Sequence, residues 1–134
     1  MRPTLLMILS CISFGAGAAT PNPLLARYQQ EAQAVQPGFT ASARRGERWF
    51  NQDFANTPQL PSCTTCHTQQ PTQPGRHAIT GKAIKPLAPA ANPERFGDPA
   101  KVEKWFGRNC REVVGRDCSA AEKADLLAYL GEVR

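Results

Sequence analysis

Apolar residues fall at helical spacing in four stretches of the chain and lose all period in the long segment between the second and third. From Pro21 to Gln33, Leu24, Leu25, Tyr28 and Ala32 recur on one side of a helix that Asn22 can cap and Pro23 can open. A second helix is predicted over 42–51, with Gly46 and Phe50 four residues apart and hence on one face. A third begins at the cap Asp98 with Pro99 at its first position and runs through Lys101 to about Val114. Its apolar stripe reads Val102, then Trp105 or Phe106, then position 109, then Val113, so an asparagine stands inside an apolar stripe and needs a partner. The last helix opens on the capping box Ser119-x-x-Glu122 and carries Ala124, Leu127, Ala128 and Leu130. Pro58 to Pro99 contains eight prolines and little period, which predicts loop with at most a short helix. The fold class is therefore all-α with long proline-rich loops, and a loop of that length needs something to pack on.

Cys63-Thr64-Thr65-Cys66-His67 supplies a candidate. A Cys-x-x-Cys-His run sets two thiols where they can form thioethers to a porphyrin and one imidazole where it can bind the iron, so Cys63 and Cys66 are the expected attachment points of a haem c and His67 its proximal ligand. A redox Cys-x-x-Cys would call for an alternating strand and helix context. Half of a zinc site would call for a matching pair, and His77 is the only other histidine.

Residues 1–19 begin with Arg2, continue through Leu5 to Leu9 and end in the small residues Gly15 to Ala19, the layout of a secretory signal peptide removed after Ala18 or Ala19. Acylation at Cys11 is the weaker alternative. Export to an oxidising periplasm fits the cysteines: with Cys11 gone and two in the haem motif, Cys110 and Cys118 remain, at a separation that suits a small disulfide loop, two free thiols being the alternative. The expected organisation is a leader over 1–19, an N-terminal helical extension over 20–38 and one haem domain over 39–134. No later run is long and apolar enough for membrane insertion. The net charge of +5 is spread among acidic residues, which argues against nucleic acid and is compatible with an acidic redox partner.

The second axial position decides the chemistry. Met1 and Met7 are the only methionines and both lie in the leader, so the His/Met pair is excluded. What remains is His77, Asn109, a lysine such as Lys82 or Lys85, or no ligand. His77 reads first as a loop residue, Asn109 either as an iron ligand or as a partner of neighbouring backbone, and Lys82, Lys85 and Arg95 as partners of the haem propionates.

Gly46-x-x-x-Phe50, the haem motif and Leu126-x-x-Tyr129-Leu130 resemble class I cytochromes c. Thr80-Gly81-Lys82, Pro86-Leu87-Ala88-Pro89, Val102-Glu103-Lys104-Trp105, Gly107-Arg108-Asn109-Cys110, Gly115-Arg116-Asp117-Cys118 and Glu122 to Leu127 are similar to the sphaeroides haem protein and cytochrome c″ group. The resemblance covers residues 42–131 and implies first and last helices crossing at a glycine around one haem. It implies that the residue before the first disulfide cysteine is the distal ligand, asparagine in the oxygen-binding type and histidine in the other, which makes it Asn109 here, beside a Cys110–Cys118 disulfide. His77 departs from the oxygen-binding pattern and keeps bis-histidine ligation open. The expected function is electron transfer by a haem whose weak distal ligand leaves on reduction and admits oxygen or nitric oxide, with Trp105 or Phe106 walling the pocket. The resemblance also implies a redox partner such as a dihaem cytochrome c fed by a membrane cytochrome b. The alternatives are a bis-histidine electron carrier, a gas-binding or sensing module, and a haem enzyme acting on oxygen, nitric oxide or peroxide, for which no distal acid–base pair is evident beyond His77.

Overall fold

The computed structural model describes residues 22–134; the expected leader over 1–19, with Cys11, lies outside them. Five α-helices follow in order: α1 (Pro23–Val35), α2 (Ala43–Asn51), α3 (Thr64–His67), α4 (Pro99–Asn109) and α5 (Ala120–Glu132). Side-chain oxygens cap the long ones as expected. Asn22 accepts from the Leu24 amide, Ser42 from Arg45, Asp98 from Lys101, and Ser119 and Glu122 close a reciprocal capping box.

Two departures from the sequence expectation matter for the site. The helix expected to reach Val114 stays α-helical only to Asn109, and Cys110–Val114 widens into a π-helical turn, with the Gly115 amide reaching back to the Cys110 carbonyl at 3.0 Å. The loop after the haem motif also holds a small antiparallel hairpin, β1 (Gly75–Arg76) paired with β2 (Ala83–Ile84), in an otherwise helical fold.

α2 and α5 cross at Gly46, where a Cβ would stand 2.0 Å from the Asp125 carbonyl oxygen and 2.9 Å from Tyr129 Cβ, so only glycine allows the approach. The crossing is fixed by a charge. Asp125, buried, accepts from Arg45 Nε and Nη2 at 2.7 and 2.8 Å and from the Ser42 amide at 2.7 Å, which satisfies the carboxylate that burial would otherwise penalise. Two apolar clusters flank it. Leu24 and Tyr28 of α1, within the segment expected as an extension, meet Ala124 and Leu127 of α5; Phe50 of α2 meets Leu126 and Leu130. Tyr28, Phe50 and Leu130 are fully enclosed, each side chain contributing on the order of 1.5–3 kcal/mol.

Candidate haem site

Cys63 caps the single turn α3, whose 67 amide bonds the Cys63 carbonyl at 3.1 Å, so both thiols and the imidazole issue from one tight turn. Thr68 ends it at φ +60°. The Ser62 hydroxyl meets those of Thr64 and Thr65 at 2.7 and 3.1 Å and braces the turn from its start. The hairpin braces it from behind. A Cβ on Gly75 would lie 2.1 Å from the Cys66 carbonyl oxygen, and the Ala78 amide points at Cys66 Sγ from 3.4 Å.

Cys63 and Cys66 are both free and partly buried. Burial pushes the Cys63 thiol up to about 12, so it rests as the neutral thiol. Burial, with the Arg95 charge adding to it, pushes His67 down to about 4 and keeps the imidazole neutral, the form that binds a metal. Arg95 is itself fastened, donating from Nη2 to the Lys85 and Pro86 carbonyls at 2.8 and 2.9 Å. Lys82 and Lys85 are exposed.

The haem motif and the third predicted helix border one apolar cluster: Cys63 and Phe106 both pack against Phe50, Leu126 and Leu130, with Leu87 and Phe96. Phe106 is the inward aromatic of α4, edge-on to Tyr28 at 5.9 Å between centroids. Trp105 is 43 % exposed, with the Arg108 guanidinium 5.7 Å from its ring centroid, and lies one turn before Asn109 on the same side of the helix. Asn109, half-buried, ends α4 where the π turn begins, and its carboxamide makes no hydrogen bond among the described residues. Cys110, next to it, is joined to Cys118 across a Cα separation of 5.7 Å, which links the π turn to the residue before the α5 cap.

His77 takes a different place, in the tip of the hairpin. Its backbone bonds Lys82 and Gly81, and Nδ1 accepts from the Ile79 and Thr80 amides, each at 3.3 Å. The ring thus serves the turn that leans on Cys66.

Three side chains of the surroundings escaped sequence reading. Asn56 donates from Nδ2 to the Glu112 and Arg111 carbonyls at 3.0 and 3.5 Å, pinning the π turn across 55 positions of sequence. Glu103 gathers Tyr28, Arg27 and Lys123, and Asp125 holds the α2–α5 crossing. Nothing local marks any of them.

The residues present fit a haem. Two free thiols stand on one turn, a neutral imidazole follows them, an apolar wall adjoins them, and one buried donor, Trp49 Nε1, lacks any acceptor though its ring packs on the same cluster as Cys63. Among the described residues no group of three or more His, Cys, Asp or Glu side chains forms a metal site of its own.

Comparison with known proteins agrees. Residues 36–130 match the family described as "Domain of unknown function (DUF1924)". The cytochrome c-type protein SHP of Cereibacter sphaeroides is 48% identical over 131 residues, covering 95% of this chain and 97% of that protein. Cytochrome c″ of Methylophilus methylotrophus is 39% identical over 118 residues, covering 86% of this chain and 81% of that protein. The structure of oxidized SHP, an oxygen-binding cytochrome c, superposes with a TM-score of 0.74 at 50% identity, over 85% of this chain and 97% of the other. The crystal structure of oxidized cytochrome c″ from Methylophilus methylotrophus gives a TM-score of 0.76 at 37% identity, over 84% and 93%. With the helical fold and the haem-binding turn, these likenesses show that the chain belongs to the SHP and cytochrome c″ family of monohaem c-type cytochromes and carries a covalently attached haem c with its iron.

Proposed function

We propose that this chain is an exported electron-transfer cytochrome whose reduced haem binds oxygen or nitric oxide because its distal ligand, Asn109, leaves on reduction. Cys63 and Cys66 hold the haem through thioethers and His67 is the proximal ligand. When bound, the haem supplies a one-electron iron couple and, where a coordination position opens, a place for a diatomic gas. Everything else is done by the chain.

The observation that carries this reading is the unpartnered Asn109 carboxamide at the junction of α4 and the π turn, beside the Cys110–Cys118 link. With no partner among the described residues, its oxygen and NH₂ group are free to take one that the haem brings. The neutral amide oxygen is a weak, hard donor that suits ferric better than ferrous iron. It therefore holds the oxidised form and steps aside in the reduced one. Turned away, its NH₂ group donates toward the vacated position and favours a polar diatomic ligand. The disulfide at 110 restrains the backbone there, so the motion is one of the side chain. Phe106 closes the apolar side and Trp105 shields the outer edge. Arg95, with Lys82 and Lys85, neutralises the propionates.

His77 is a poor competitor because its hairpin leans on Cys66 and its Nδ1 already serves two amides. The leader over 1–19, removal of which leaves the mature chain in the periplasm, belongs to the same proposal, as do the division at 38–39 and an acidic or dihaem redox partner. Among the described residues no helix is long and apolar enough to cross a membrane.

The test is optical. Reduced protein gives a high-spin spectrum and binds carbon monoxide rapidly, and Asn109→Leu changes the ferric spectrum while the haem stays attached. A low-spin reduced protein indifferent to carbon monoxide would contradict the reading.

A further inference from the structure

α4 carries the distal position, yet none of its residues is buried. Its hold on the rest of the molecule runs through a few side chains, and the largest polar one is Glu103. Glu103 Oε1 accepts from the Tyr28 hydroxyl at 2.7 Å and from the Arg27 guanidinium, both on α1, while Oε2 accepts from Lys123 Nζ of α5 at 2.9 Å. Tyr28 is wholly enclosed, so its hydroxyl has a fixed position, and Lys123 lies 5.2 and 5.5 Å from the Tyr28 and Phe106 ring centroids. One carboxylate thus ties α4 to two helices of the core, six residues before Asn109.

From this geometry we infer that Glu103 is a positioning residue for Asn109: it anchors α4 to α1 and α5, so that the carboxamide stays within reach of ferric iron and returns to it on reoxidation. The inference rests on Asn109 being the distal ligand. Phe106 sits between the two, facing Tyr28 from the turn after Glu103, and carries the restraint along the helix. Loosening the anchor lets α4 tilt outward, and the amide then spends more time off the iron. Glu103 touches neither haem nor gas; it acts through the helix that bears Asn109.

The experiment uses haem-loaded full-length protein and cyanide as the probe of ferric iron, since cyanide must wait for Asn109 to leave. Glu103→Gln weakens the charged contacts, and Tyr28→Phe removes a single hydroxyl in a side chain whose ring keeps its packing. Each is expected to speed cyanide association about threefold, the effect of losing part of one net hydrogen bond. In an Asn109→Leu background both accelerations vanish, which makes a non-additive double-mutant cycle. Equal accelerations with and without Asn109 would overturn the inference, as would a lowered melting temperature with the cyanide rate unchanged. An Asn109→Leu protein whose ferric spectrum matches the parent would instead overturn the ligand assignment itself, a separate outcome.

Discussion

A single methyl group decides the helix crossing. At Gly46 the nearest backbone oxygen leaves no room for a Cβ, so Gly46→Ala must part α2 from α5, break the Arg45–Asp125 contacts or both. A loss of about 1–3 kcal/mol is expected, in the range of overpacked cores, measured by thermal or denaturant unfolding of the haem-loaded protein. Sequence alone marked Gly46 through its spacing to Phe50, and marked Cys63, Cys66, His67 and Asn109 by residue type. It did not mark Asp125, Glu103 or Asn56. Their partners lie 80, 75 and 56 positions away, and a carboxylate in a helix reads as a solvated face until the fold closes over it. Nor did it choose between Trp105 and Phe106: both fit the stripe, and the packing of Tyr28 against Phe106 settles which turns inward.

Among the elements, the four long helices were legible because each carries its own cap and apolar face. The π turn was not. One residue of extra slack over Cys110–Val114 leaves no local signature, and it is sustained from outside by Asn56 and by Gly115, at φ +83°, whose Cβ would meet Asn56 Oδ1 at 2.7 Å. Asn56→Ala should therefore cost about 0.5–1.5 kcal/mol and speed hydrogen exchange at the Gly115 amide, while Asn56→Asp, which cannot donate to the carbonyls, behaves like the alanine variant rather than the parent. Removing the link between the π turn and α5 acts on the same element. The Cys110→Ala, Cys118→Ala double variant should lose about 2.5 kcal/mol by the chain-entropy estimate for so short a loop, read from the melting temperature, with the haem still attached. The hairpin over 75–84 was also hidden, since its ladder is only two residues per strand and its tip is organised by the His77 side chain rather than by a hydrophobic alternation.

For the molecule as a whole, charge pairs set the acid limit. Burial alone would raise Glu103, but the hydrogen bonds from Tyr28 and Lys123 overcome it and hold the carboxyl below its ordinary value; the Arg116 hydrogen bond does the same for Glu122. A carboxyl held low in the folded state binds fewer protons there than in the unfolded chain. Its stabilisation is complete above the ordinary glutamate value of 4.5 and fades as pH falls below it toward the folded value. Glu103→Gln and Glu122→Gln should thus lower the melting temperature at pH 7, and the gap to the parent should close progressively as pH falls below 4.5. A gap that persists in acid would mean that shape, not charge, makes the difference.

The ligand on the iron's far side sets the chemistry, and crystal structures of the haem-loaded protein in its ferric and ferrous states would reveal it. The Asn109 carboxamide oxygen should be bonded to iron in the oxidised crystal and turned away, with that position open, in the reduced one. An imidazole from His77 bonded in both states, with Asn109 remote from the metal, would contradict it.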